Sequence, residues 1–179
     1  MSACGTGPDD RPLASNIDPL KTVGQLPVPE GFAETAGPAT ADATALERVL
    51  FADSDVALAA DLKRRGLLRA ATRHFVANAG GTLDVAVAVW GDHATALASG
   101  NLTAERAIDR SGANAWNPSE LRGAQGSEPP NGGSGTRTLA RAIAQNALFV
   151  RTSGAVPAAA AIRAMQRLTR LTENPQPGR

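Results

Sequence analysis

The stretch Thr82–Trp90 constrains the fold more tightly than any other part of this chain. Leu83, Val85, Val87 and Val89 alternate with Ala86, Ala88 and Trp90, so the period is two and both faces are apolar. Such a strand belongs in the middle of a sheet, covered at least in part on both sides. The preceding Leu67–Ala77 also alternates. Leu68, Ala70, Thr72, His74 and Val76 share one face, and Arg69, Ala71, Arg73 and Phe75 share the other. Asn78–Gly81 joins the two runs with turn-forming residues. Asp92 stands where it can cap a helix from about His93 to Gly100, with a continuation through Thr103 to Arg110.

The same order returns further along. Thr138–Gln145 alternates, Asn146-Ala147 supplies a turn, and Leu148–Ser153 pairs back. Pro157 fits the first turn of a last helix, which runs to about Thr172. Its inner face carries Ala158, Ile162, Met165, Leu168 and Thr169, and its outer face Arg163, Arg167 and Arg170. Two ββα units in tandem predict an α+β domain: a mainly antiparallel four-stranded sheet with helices packed on one face. The units share no residue-level identity, so the repeat is architectural.

Two short helices are expected ahead of the first unit. Asp42 caps Asp42–Phe51, with Leu46, Val49 and Leu50 on one side, and Ser54 caps Asp55–Arg65, which Gly66 ends. Residues Gly5 to about Ala43 are rich in Gly, Pro, Asp, Thr and Ser without sustained periodicity. Such a composition buries too little apolar surface to offset its ordering entropy. The expected division is therefore a flexible tether over 1–41, one domain over 42–173 and a disordered tail over 174–179. A flexible loop is expected at 123–136 inside the domain. Within the tether, Val23–Phe32 excludes a helix interior through Pro27 and Pro29 and reads as an extended lead-in, with Leu26, Val28 and Phe32 against the domain. The ~135 residues outside the tether suffice for a real hydrophobic core.

Charge is spread unevenly. Residues 1–43 hold six acids and two bases, whereas residues 121–179 hold two acids and eight bases. The basic end reads either as an interaction surface for anionic partners or as an ordinary solvated coat. No stretch has the ~18 consecutive apolar residues that a spanning helix requires. One cysteine, Cys4, forms no disulfide within the chain.

Catalytic signatures are missing. The two histidines, His74 and His93, lack the spacing of a metal cluster, so neither a metal nor a cofactor is expected. Gly133-Ser134-Gly135 lacks the strand-to-helix setting of a serine nucleophile. The glycines of 132–137 lack the lysine of a phosphate loop. Asp84, Asp92, Glu105 and Asp109 sit where solvated carboxylates sit, which leaves no pair for glycoside chemistry. Arg163, Arg167 and Arg170 have no aromatic neighbours of the kind that stack on bases, so no nucleic-acid partner is expected.

The remaining signal is local. Ser2-Ala3-Cys4-Gly5 resembles the end of a bacterial lipobox, with Met1 where a leucine usually stands. Together with the tether and the strand pair at 67–90, it resembles small cell-envelope lipoproteins of actinobacteria, whose α+β domains are similar to extracytoplasmic sensor or binding domains. An Ala-, Arg- and Gly-rich composition without tyrosine agrees. The resemblance implies a lipidated Cys4, a removed signal peptide and a membrane-anchored, extracytoplasmic, non-enzymatic binding or accessory module. Its partner would be an anionic lipid, a wall polymer or an envelope protein. Arginines recur on the strands of both units, so the expected ligand surface is the open face of the sheet: Arg69, Arg73, Phe75, Arg141, Phe149 and Arg151. Two alternatives stay open: an envelope hydrolase using His74 or His93 as base, and a cytosolic interaction protein if Met1 is the native start.

Overall fold

The structure is a computed structural model that describes residues 17–51, 56–130 and 132–175. Its elements are α1 (Pro19–Gly24), β1 (Phe32–Ala41), α2 (Ala43–Phe51), α3 (Val56–Arg64), β2 (Arg69–Ala77), β3 (Gly81–Val89), α4 (His93–Ser111), β4 (Asn114–Trp116), β5 (Ala124–Glu128), β6 (Arg137–Ile143), β7 (Asn146–Gly154) and α5 (Ala158–Glu173). The sheet has seven strands in the order β1-β2-β3-β7-β6-β5-β4, and every pair is antiparallel.

This corrects the four-stranded expectation in two respects. The two hairpins, β2–β3 and β6–β7, do form the middle of the sheet, joined where β3 pairs with β7. Three further strands extend it: β1 beside β2, and β5 then β4 beside β6. Helices also cover both faces rather than one. Leu83, Val85, Val87, Val89, Leu148 and Val150 pack with residues of α1 and α5. Ala86, Ala88, Trp90, Ala147 and Phe149 pack with residues of α2, α3 and α4. Only a two-fold axis normal to the sheet could exchange antiparallel β3 and β7, and it would leave both helices on one face. Because α4 and α5 lie on opposite faces, the two ββα units are not symmetric copies.

The doubly apolar β3 is the reason for both layers. Leu83 through Val89 and Trp90 are almost wholly buried, apart from the slightly exposed Asp84. One face of the sheet is built of Val and Leu; the other is paved with Ala and anchored by Trp90 and Phe149. Small residues on α4 let it approach that paved face closely: a Cβ at Gly100 would stand 3.5 Å from the Ala140 Cβ.

Several local signals act as expected. Asp42 accepts from Ala45 N at 2.8 Å, and Asp92 accepts from Thr95 N at 2.7 Å. Gly66 (φ +79°) ends α3, and Gly112 (φ +60°) ends one unbroken α4. Ser54 lies outside the described residues. The second hairpin turns at Ala144-Gln145, two residues earlier than the sequence indicated, with Ala144 at φ +51°.

Parts read as flexible contain regular structure. From Ile17 onward the supposed tether holds α1 and the ten-residue edge strand β1, and Ile17, Val23 and Leu26 belong to the core. Within 123–136, Ala124–Glu128 forms β5 between β4 and β6. Val28, expected against the domain, is exposed, whereas Leu26 is buried.

Gly81 opens β3 opposite Gly154, at φ +104°. A Cβ there would overlap the backbone carbonyl of Ser153. The Gly81→Ala variant is expected to lose about 2–4 kcal/mol, combining left-handed strain with overpacking against an immovable backbone. Chemical denaturation at constant slope checks this; Gly80→Ala, with open space around its Cβ but φ +91°, is expected to lose less.

Candidate functional site

The lead-in between α1 and β1 does not lie flat on the sheet. Asp18 accepts from Leu20 N at 3.0 Å and Pro19 opens the helix, so α1 is capped in the preferred manner. At its far end the chain is held by Arg73 on β2. The Arg73 Nη1 donates to the carbonyls of Val23 (3.1 Å), Gly24 (3.2 Å) and Leu26. Its Nε and Nη2 donate to the two Glu34 carboxylate oxygens on β1, both at 2.7 Å. The guanidinium also lies 5.0 Å from the Phe75 ring centre. One buried cation thus ties the end of α1, the lead-in and the edge strand together. Hydrogen bonding from Arg73 lowers the Glu34 pKa; partial burial opposes this, and the charge of Arg73 adds to the lowering.

The pinned lead-in forms one wall of a cavity of about 370 Å³. Leu26, Pro27, Pro29 and Glu30 line that wall, Phe75, Leu83 and Val85 form the floor, and Ala160, Arg163, Ala164 and Arg167 of α5 form the opposite wall. The size lies within the range of small-molecule sites, and an apolar interior with a few polar groups is their usual composition. Arg163 and Arg167 are exposed, one turn apart on α5, and neither has an ion-pair partner among the described residues.

The six side chains expected to form one ligand surface are divided between the faces. Arg73, Phe75 and Arg141 lie on the α1/α5 face; Phe149 and Arg151 lie on the other. Neither face is open, because helices cover both. Arg73 is the clamp described above, and Arg141 donates to Thr169 Oγ1 at 3.2 Å and stands 3.6 Å from Glu173 on α5. Phe149 is core, packed edge-on to Trp90 at 6.3 Å. Arg69 is exposed at the start of β2. Phe75 alone of the six lines the cavity. Cys4 lies outside the described residues.

Arg151 joins a row of polar groups across the α2/α3/α4 face. His74 Nδ1 lies 2.5 Å from Asp84 Oδ1, and Arg151 Nη1 lies 3.5 Å from Asp84 Oδ2. Thr82 Oγ1 donates to Asp84 Oδ2 at 3.3 Å and is 2.8 Å from Ser153 Oγ. A histidine base activates a hydroxyl bonded to its other ring nitrogen. These hydroxyls bond the carboxylate and each other instead, so the row is a cross-strand network around a buried aspartate. His93 Nδ1 donates to the Ala144 carbonyl at 2.7 Å and secures the β6–β7 turn. Among the described residues no group of three or more His, Cys, Asp or Glu could hold a metal, and no helix is long and apolar enough to cross a membrane.

Sequence reasoning missed the cavity because its walls come from segments far apart in the chain. A partial signal was present: Asp18-Pro19 is the pairing that starts a helix, and it lay inside the supposed tether.

The fold is similar to that of the extracellular domain of PknH from Mycobacterium tuberculosis. The TM-score is 0.52 at 9% identity, covering 80% of this chain and 85% of that one. No protein-family model matches the sequence, and no curated protein does.

Proposed function

We propose that this protein is a non-enzymatic, extracytoplasmic binding module whose ligand occupies the cavity between the lead-in and α5. The observation that carries this is the cavity itself: an apolar floor of Phe75, Leu83 and Val85, closed on one side by a segment that Arg73 holds in place. The fold likeness to the extracellular domain of PknH supports the address outside the cytoplasm. The lipobox-like Ser2-Ala3-Cys4-Gly5 supports attachment to the membrane through a lipidated Cys4. Partners of an anchored module would be envelope molecules rather than nucleic acid.

Titration with 1-decanol, followed through methyl resonances, tests the cavity. The methyl groups of Leu26, Leu83 and Val85 are expected to shift, while those of Leu46, Leu50 and Leu58 on the opposite face stay in place. No response, or an equal response on both faces, removes the cavity as a ligand site. The address is tested separately, by the mass of the N-terminal peptide from the native host. A diacylglyceryl-modified Cys4 supports anchoring, whereas an unmodified Met1 or Ser2 overturns it.

A further inference from the structure

The geometry points to a single-chain amphiphile with a carboxylate head as the ligand, its tail in the cavity and its head between Arg163 and Arg167. This rests on the cavity reading above and adds the chemical class. Two arginines at i and i+4 on α5 line the cavity with their cationic heads exposed. Like charges at that spacing disfavour each other, and an anion between them converts the repulsion into two charge-assisted contacts. Neither arginine has an ion-pair partner among the described residues, so the fork-shaped donors are free to accept one. Arg73 and Arg141, by contrast, are engaged by Glu34 and by Thr169 and Glu173. Beneath the two arginines the lining is aromatic and aliphatic, which suits a hydrocarbon chain and not a second polar group. Glu30, on the facing wall, leaves the charged lining at a net of one positive charge, which matches a carboxylate better than a phosphate dianion.

The test compares 1-decanol, decanoate and decyl phosphate on the full chain by calorimetry. Decanoate is expected to bind at least tenfold more tightly than decanol, and no more weakly than decyl phosphate. The double variant Arg163→Glu/Arg167→Glu changes exposed side chains at the cavity rim and is expected to keep the fold, lower decanoate affinity at least tenfold and weaken decanol binding far less than that. The same variant should bind decylammonium more tightly than the unaltered protein does. If decanol and decanoate bind alike in both proteins, the head-group assignment falls and the cavity stands. Tighter binding of decyl phosphate than of decanoate overturns the carboxylate. If no decyl compound moves the cavity methyl groups, the cavity reading fails and this one with it.

Discussion

Replacing Arg73 by methionine is expected to cost about 2–4 kcal/mol, because it takes a charged donor away from buried carbonyls, and to lower Tm by roughly 4–16 °C. Methionine keeps much of the aliphatic volume, so the loss reports hydrogen bonding and charge rather than a cavity. Three backbone carbonyls, of Val23, Gly24 and Leu26, lose their shared donor, and the buried ones have no water to replace it. Lysine in place of Arg73 retains the charge but not the planar fork, so it should recover only part of the loss. Because the clamp sets the cavity wall, the Arg73→Met protein should also bind decanol more weakly at temperatures where it remains folded. A melting temperature within a degree of the unaltered protein would show that the lead-in is held by other contacts.

The same clamp predicts a pH dependence. The Glu34 pKa is lowered in the folded protein by its hydrogen bonds from Arg73. A depressed carboxylate binds fewer protons in the native than in the unfolded chain, so its contribution is fully present above the ordinary glutamate range. It is lost as pH falls through the lowered folded value. Asp61, hydrogen-bonded by Arg65, and Asp92, bonded by the backbone and side chain of Thr95, are lowered too and add to the slope in the same direction. Glu34→Gln should therefore be less stable than the unaltered protein at neutral pH, with the difference narrowing in acid. Urea midpoints at several pH values measure this, and a difference that widens in acid would contradict the assignment.

A comparable loss is expected on the opposite face. Trp90→Ala removes a fully buried ring packed edge-on to Phe149 and enclosed by a cluster that includes Leu46, Leu50, Leu58 and Leu62. The expected cost is about 3–5 kcal/mol. Trp90→Phe should cost less than half of that. It retains most of the ring, and the indole N–H it deletes has no hydrogen-bond partner among the described residues. Fluorescence separates the two tryptophans: the phenylalanine variant should lose the blue-shifted emission of Trp90 and retain that of the partly buried Trp116. Equal destabilisation by Ala and Phe would mean that the N–H makes a contact the present geometry does not show.

These predictions fall on residues that were legible in the sequence to different degrees. Trp90 was placed by alternation, because a strand apolar on both faces has only the middle of a sheet to occupy. Arg73 was placed on its strand and on the correct face, but its work was not visible: its partners lie 39 to 50 residues earlier in the chain. A cation on a strand looks the same in sequence whether it meets a ligand or a set of carbonyls. The cavity was hidden for the same reason, since Leu26, Phe75 and Ala164 meet only after folding.

By itself the sequence determined the elements whose signals are local: the alternating β2 and β3, the caps at Asp42 and Asp92, the stop at Gly66, and the amphipathic α5 with its arginines outward. The tertiary structure alone decided the rest. β1 and β5 are rich in Ala, Gly, Pro and Gln, with little propensity of their own, and they are strands because β2 and β6 offer backbone hydrogen bonds to pair with. Pro38 is tolerated in β1 because that strand is the edge of the sheet. The side on which each helix lies was likewise set by packing, with the larger Val and Leu face taking α1 and α5 and the Ala face admitting the small-residue surface of α4.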